Sequence, residues 1–74
     1  MKSNDFRYNI EERIAVISKS ADGKNTLELN HISYGGRSAK LDLRRWNREE
    51  DKMLKGITLT DEEAAALGEA LMHS

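Results

Sequence analysis

The chain has 74 residues, with twelve Lys and Arg, thirteen Asp and Glu, and no Cys. This length allows one small domain, the lack of Cys excludes disulfides, and no apolar run approaches the roughly 20 residues of a membrane-spanning helix. His31 and His73 are far apart, so there is no metal-ligand spacing and we expect no cofactor. A chain this short buries only about 60% of its unfolded surface, so we expect a homodimer.

The net charge of −1 conceals a polarised charge distribution. Residues 1–56 carry all twelve bases and nine acids, a net charge of +3, whereas residues 57–74 carry four acids and no base. Five bases lie between Arg37 and Arg48, where Asp42 is the single acid. This local basic stripe suits a polyanionic partner, although the protein as a whole is not basic.

The first predicted element is a β-strand. Residues 1–5 are polar, and we expect them to form a disordered tail. Apolar residues then recur with a period of two, which predicts a strand from about Ile10 to Ser18 with an extended lead-in from Phe6. Residues 13–17 are apolar except for Arg13, so we expect this strand to be covered on both faces.

Two turn signals bound the second predicted strand. An Asp-Gly pair at residues 22–23 predicts the first turn, and the strand then spans residues 26–34. The apolar residues change parity between Asn30 and His31, which predicts a β-bulge or a strong twist there. A Gly-Gly pair at residues 35–36 predicts the next hairpin turn, with positive φ angles.

The third predicted strand, Ala39–Asn47, has the most informative pattern. Alternate residues divide it into an apolar face and a face that carries Lys40, Asp42, Arg44 and Trp46. We expect the second face to be exposed to solvent. Cations beside an aromatic ring suit a single-stranded nucleic acid, because phosphates meet the cations and bases stack on the ring. The alternative is a half-buried strand whose polar face is merely solvated.

The C-terminal part predicts a short strand and a helix. A polar loop at residues 47–52 precedes a fourth strand at residues 55–59, with Ile57 and Leu59 inward. Residues 60–63, Thr-Asp-Glu-Glu, form a capping box that begins a helix ending near Met72. Its apolar stripe is expected to be core and dimer interface: Ala64, Leu67 and Leu71.

The predicted fold is therefore α+β, with the order ββββα. It is a curved four-stranded antiparallel sheet with one C-terminal helix, within a single domain over residues 1–74. One helix covers four strands incompletely, so we expect much of one sheet face to remain open.

Three blocks of the chain resemble the transcriptional positive cofactor four (p15) family, most closely its small bacterial YdbC-type branch. They are residues 28–37 (ELNHISYGGR), residues 40–46 (KLDLRRW) and residues 55–60 (KGITLT) before the helix. The resemblance implies a homodimer that binds single-stranded DNA with little sequence preference. It also implies a role in transcription, replication or repair, without the serine- and lysine-rich tail of eukaryotic members. The lack of Cys and of a signal peptide predicts a cytoplasmic, nucleoid-associated protein.

The resemblance also assigns roles to residues. Arg44 matches the family's DNA-contacting arginine, and Trp46 and Tyr34 are the candidates for stacking on bases. Trp46 lies one residue closer to that arginine than the tryptophan of eukaryotic members does. Asp42 is expected to orient an arginine rather than to contact phosphate. The predicted DNA-binding set is Arg44, Lys40, Trp46, Tyr34, Arg37, Lys24, Asn30, His31 and Lys55.

The remaining expectations concern neighbouring residues and other functions. Tyr8 is expected to be core or edge cover, and Arg45, Arg48 and Lys52 to be solvated charges. We expect Arg44→Ala to weaken DNA binding while the domain stays folded. RNA and an acidic protein partner are alternative ligands, whereas the sequence has no catalytic triad and no phosphate-binding glycine loop, so we expect no enzyme activity, no small-molecule substrate and no membrane association.

Overall fold

The computed structural model describes residues 7–74, so the predicted tail at residues 1–5 and the role of Phe6 lie outside the described residues. The elements in chain order are β1 (Tyr8–Lys19), β2 (Asn25–Tyr34), β3 (Lys40–Asn47), β4 (Lys52–Leu59) and α1 (Asp61–Met72). The strands form one antiparallel sheet in the order β1-β2-β3-β4. The predicted ββββα fold is confirmed.

The local signals in the sequence correspond to the observed turns and to the helix start. Gly35 and Gly36 have φ angles of 60° and 80°, a region that glycine enters without steric cost. At the helix start, the Glu63 backbone N–H donates to Thr60 Oγ1 over 3.1 Å, and the Thr60 N–H donates to Glu63 Oε1 over 2.9 Å. Both bonds of the predicted capping box are therefore present.

The sheet curls strongly around the face that carries Trp46. Tyr8 pairs with Tyr34 at one end of β2, and Trp46 pairs with Thr26 at the other end. Eight residues of straight strand would separate these ends by about 26 Å. The rings of Tyr8 and Trp46 nevertheless have centroids only 6.1 Å apart. We call this inner surface the concave face.

The concave face is more buried than its polar sequence suggests. Trp46 is 1% exposed and Asp42 is fully buried, together with Asn30 and Glu28 of β2. The expectation of a solvent-facing surface around Trp46 is therefore wrong, because curling brings β1 across the sheet onto it. The opposite, convex face carries the leucines of β2 and β3, which are only half-buried.

β1 differs from its prediction in two ways. Its side chains are exposed rather than covered on both faces, with Val16 60% and Ile17 55% exposed. The irregularities in the pairing of β1 with β2 lie at three register shifts, whereas β2 pairs with β3 without a shift from Asn25 to Ile32. Two of the three shifts flank the pairs of His31 with Glu12 and of Asn30 with Arg13, so the predicted irregularity is present at this point of the sheet, but its extra residues lie on β1 rather than on β2. The apolar residues of β2 switch from odd to even positions there, and residues on both faces of this strand are buried or half-buried.

α1 leaves its apolar stripe uncovered within one chain. Among the described elements, the helix contacts only β3 and β4, and none of its residues is buried by them. Leu67 and Leu71 are 40% and 65% exposed, and Ile57 of β4 is 56% exposed. The expectation that these residues form a core within the single chain is therefore wrong, because the described part of the chain has no element that lies over them.

Gly56 provides the space that the Arg44 side chain occupies. The two residues are directly paired between β4 and β3, and a Cβ on Gly56 would lie 2.5 Å from Arg44 Cβ and 2.8 Å from Arg44 Cα. We expect Gly56→Ala to lower the free energy of unfolding by about 1–3 kcal/mol, because backbone must move. Gly68→Ala is the control: its Cβ meets nothing within 4 Å, so the helix should gain about 0.5–1 kcal/mol. Urea denaturation measures the free energy of unfolding of both variants. An unfolding free energy that Gly56→Ala leaves unchanged would contradict the close approach of Gly56 to Arg44.

Candidate nucleic-acid interface

A hydrogen-bonded cluster of Asp42, Arg44 and Tyr34 lies at the centre of the concave face. Arg44 Nε and Nη2 donate to the two oxygens of Asp42 over 3.0 and 2.9 Å, which is the two-pronged geometry of the strongest ion pairs. The Tyr34 hydroxyl donates to Asp42 Oδ2 over 2.9 Å. Arg44 Nη1 also donates to the carbonyl oxygen of Leu54 over 2.9 Å. The guanidinium is therefore fixed in position.

The same contacts keep the cluster in one protonation state. The hydrogen bonds that Arg44 donates to Asp42 raise the pKa of Arg44, which therefore remains a cation. Burial, followed by the hydrogen bond to Asp42, raises the pKa of Tyr34, whose hydroxyl remains a neutral donor. The cluster presents an oriented cation beside an aromatic ring.

A second cluster links Glu28, Arg48 and Trp46. Arg48 Nε and Nη2 donate to the two oxygens of Glu28 over 2.8 and 2.6 Å, and Thr26 also donates to Glu28. The Arg48 guanidinium lies 4.2 Å from the centre of the Trp46 ring, a cation–π contact. One face of the indole is therefore covered by protein. Arg48 is not the solvated loop residue that we expected. It continues the alternation of Arg44 and Trp46, and this signal could have revealed it.

The Glu28 cluster predicts a loss of stability in acid. The hydrogen bond from Arg48 is the main cause that lowers the pKa of Glu28 from its ordinary 4.5 to about 2. A depressed carboxyl pKa stabilises the fold above pH 4.5, and that contribution disappears as the pH falls towards 2. We expect a loss of about 3 kcal/mol in unfolding free energy over this range. Denaturant titrations at several pH values measure it. If unfolding free energy depended on pH equally in the wild type and in Glu28→Gln, the acid-induced loss could not be assigned to Glu28.

The structure brings together only some of the predicted site residues. Arg44 and Tyr34 share the first cluster, and Asn30 is 1% exposed on the same face, where its amide donates to Glu28 over 3.4 Å. His31 lies on the convex face beside Leu41 and bonds Glu12 over 3.1 Å. The other predicted cations are exposed: Lys24 and Arg37 lie in turns, Lys40 begins β3, and Lys55 lies within β4.

A cleft adjoins the aromatic residues of the concave face. It has a volume of about 420 Å³ and is mainly apolar. The Tyr8 and Tyr34 rings have centroids 6.3 Å apart. We call this feature the tyrosine cleft, and its lining residues are Tyr8, Tyr34, Asp51, Lys52 and Met53. Sequence reasoning missed four of these residues because curling of the sheet, which no local pattern encodes, brings them together.

Trp46 lies beside this cleft as a buried ring and does not offer an open stacking surface. Its ring contacts Tyr8 and Arg48 and is 1% exposed. Its indole N–H is buried and has no hydrogen-bond acceptor within residues 7–74. Tyr8, which is 37% exposed, is therefore a more accessible aromatic surface than Trp46.

Residues 7–74 contain no group of three or more His, Asp or Glu side chains that could hold a metal ion. Within the same range, no helix is both long enough and apolar enough to cross a membrane.

Comparison with known proteins gives two matches. A family model described as Transcriptional Coactivator p15 (PC4) matches residues 21–70, which include β2, β3, β4 and most of α1. A protein of Treponema pallidum (strain Nichols), described as an uncharacterized protein, is 41% identical over 69 residues. These residues cover 93% of this chain and 80% of that protein. The Asp42–Arg44–Tyr34 cluster lies inside the family match, whereas Tyr8 lies outside it.

Proposed function

The chain belongs to the Transcriptional Coactivator p15 (PC4) family, and from this premise we propose that it binds single-stranded DNA with little sequence preference. The family is a nucleic-acid-binding, non-enzymatic one. We propose that the protein acts as a homodimer in transcription, replication or repair. Its membership of the YdbC-type branch remains a prediction.

One observation carries the proposal: an oriented arginine and accessible tyrosines occupy the same concave face. Arg44 is held between Asp42 and the carbonyl of Leu54, so little conformational entropy remains to be lost when a ligand binds. Tyr34 lies beside Arg44, and it also lines the tyrosine cleft. Fixed cations beside accessible rings are what single-strand binding uses, since phosphates pair with cations and bases stack on rings.

The geometry favours unpaired strands over duplexes. A duplex hides the faces of its bases, so the tyrosine rings gain contact area only with unstacked bases. RNA offers the same phosphates and base faces, and it remains an alternative ligand. A preference between the two would require a contact to the 2′-hydroxyl.

The exposed convex surface supports the dimer proposal. Leu67 and Leu71 of α1 and Ile57 of β4 are apolar, and each is at least 40% exposed. We propose that a second copy of the chain covers this surface, with Ala64 in the same stripe. An interface there leaves the tyrosine cleft, on the other side of the sheet, exposed in both copies.

A protein–protein module that binds an acidic partner is the alternative function. The exposed cations would serve either ligand, whereas stacking of bases on the tyrosine rings would contribute only with a nucleic acid. DNA binding that is as tight for abasic oligonucleotides as for normal ones would favour this alternative, because phosphates alone would then account for the affinity.

Lys40 provides the first test of the proposed path of the phosphates. It is exposed on β3, four residues from Arg44 and on the same face. We expect Lys40→Ala to reduce the slope of log affinity against log salt by about 0.7, the value for one lost contact to a single strand. Arg45→Ala is the matched control, because Arg45 is exposed on the convex side of the same strand. A larger effect from Arg45→Ala would place the DNA on the other face.

A further inference from the structure

We propose that the tyrosine cleft accepts one unstacked nucleobase and that Asp51 makes guanine the preferred base. This inference rests on the proposed function and goes beyond it, because a binding protein with little overall sequence preference would then read one base of each bound strand. None of Tyr8, Asp51 and Met53 belongs to the DNA-binding set predicted from the sequence.

The first support is the form of the cleft. Its volume of about 420 Å³ lies within the range of small-ligand sites, which are mainly apolar with a few polar groups that fix orientation. Tyr8 and Tyr34 are tilted by 44° to each other and form one wall, and Met53 adds an adaptable apolar surface. A flat ring with apolar faces and polar edges matches these walls.

The second support is an unsatisfied polar group next to the cleft. The Trp46 ring contacts Tyr8, a wall of the cleft, and Trp46 pairs with Met53, another wall. The Trp46 indole N–H is buried without an acceptor within residues 7–74. A buried donor that lacks an acceptor costs about 1–3 kcal/mol, so such groups are uncommon in folded proteins. The polar edge of a base offers acceptors to this region.

The charges at the rim suit a nucleotide. The side chain of Lys52 is 70% exposed at the cleft and its Nζ lies 3.4 Å from Glu50 Oε1, an exposed ion pair that a backbone phosphate can replace. The side chain of Asp51 is 80% exposed, and one of its oxygens accepts from Arg48 Nη1 over 3.2 Å. This bond turns the carboxylate towards the cluster that supports Trp46, and the exposed side chain keeps room for a ligand.

The carboxylate of Asp51 determines which base is preferred. An ionised carboxylate only accepts hydrogen bonds. Guanine presents two adjacent donors on its Watson–Crick edge, the N1–H and the exocyclic NH₂, and can pair with both oxygens. Adenine and cytosine place a ring acceptor beside their amino group, and thymine places carbonyl oxygens on both sides of its N–H. These acceptors repel the carboxylate, so guanine alone gains two bonds.

Four oligonucleotides test the proposal. They consist of ten nucleotides, all thymine except for one central position that holds guanine, adenine, cytosine or thymine. We expect the guanine oligonucleotide to bind about tenfold more tightly than the all-thymine one in fluorescence anisotropy at fixed low salt. Equal affinities would overturn the guanine preference and leave the proposed function intact. Failure of all four to bind would overturn both.

Two variants assign the preference to Asp51. Asp51→Asn should abolish the advantage of guanine and change the affinity for the all-thymine oligonucleotide by no more than about twofold. Asn tolerates the positive φ of 54° at this position, so the turn is preserved. Glu50→Gln removes the same charge next to Asp51 without changing a residue that lines the cleft. Because Glu50 pairs with Lys52, this variant should raise the affinity for all four oligonucleotides alike and keep the advantage of guanine. An advantage that survives Asp51→Asn would overturn the role of Asp51.

A direct readout locates the base. The Met53 methyl resonance should shift when the protein is titrated with the guanine oligonucleotide, and should shift less with the all-thymine one. A Met53 resonance that stays unchanged at saturation would overturn the placement of the base in the tyrosine cleft, even if the affinities differ.

Discussion

Arg44→Ala is expected to lower the free energy of unfolding by about 3 kcal/mol. Asp42 is fully buried and the side chain of Arg44 is only 16% exposed, so the substitution leaves a carboxylate without its counter-ion inside the sheet. Denaturation of the wild type and the variant at neutral pH measures the difference. From the sequence we expected this variant to stay folded and lose only DNA affinity. The two effects are instead expected together, because Arg44 is part of the buried network.

A double variant distinguishes a buried charge from a general packing defect. Asp42→Asn in the Arg44→Ala background removes the isolated charge and keeps a carbonyl oxygen that can accept from Tyr34. We expect this double variant to be more stable than Arg44→Ala, because neutralising both partners costs less than leaving one ion unpaired. Equal stability of the two variants would show that the charge is not the cause.

Leu71→Glu is expected to convert the protein from a dimer to a monomer at micromolar concentration. Leu71 is 65% exposed in a single chain, so the glutamate is solvated in the monomer and costs little there. In the proposed interface, the same glutamate would be a buried charge without a partner. Sedimentation equilibrium measures the mass, and circular dichroism checks that the monomer remains folded.

Ala66→Glu is the matched control for this prediction. It adds the same charge to α1, on the side of the helix opposite Ala64, Leu67 and Leu71. We expect it to remain a dimer. A dimeric Leu71→Glu, or a monomeric Ala66→Glu, would move the interface to another face of the helix.

The local parts of the fold could be predicted from the sequence because each has a short-range cause. Thr60 and Glu63 bond each other across one helical turn, and Gly35 and Gly36 adopt positive φ angles where the chain reverses. These interactions depend on a few adjacent residues, so the sequence pattern alone identifies them. The order of four strands and one helix follows from such signals.

The curvature of the sheet could not be predicted in the same way. Alternation places Lys40, Asp42, Arg44 and Trp46 on one face, and this is correct. It does not determine whether that face is open or enclosed. Curling brings the centre of the Tyr8 ring on β1 to 6.1 Å from that of the Trp46 ring on β3, and this long-range contact helps to bury the indole. Burial changes the interpretation of Trp46 from an exposed stacking ring to a support for the tyrosine cleft.

The apolar stripe of α1 shows a related limit. Periodicity correctly identifies Leu67 and Leu71 as one stripe, yet the same pattern is typical of a helix on its own core and of a helix on a partner. Exposure in the single chain separates these cases, since both leucines remain at least 40% exposed. The sequence therefore predicts the stripe, and its exposure in the single chain is the observation that supports the proposed dimer.

The most direct test of the proposed function compares one strand with its duplex. A fluorescein-labelled oligonucleotide of twenty nucleotides and mixed sequence is titrated with the protein at several salt concentrations, alone and annealed to its complement. We expect the single strand to bind more tightly, with affinity that falls linearly with log salt by about 0.7 for each phosphate contacted. No anisotropy change with the single strand at low salt, or tighter binding of the duplex, would contradict the function proposed for this protein.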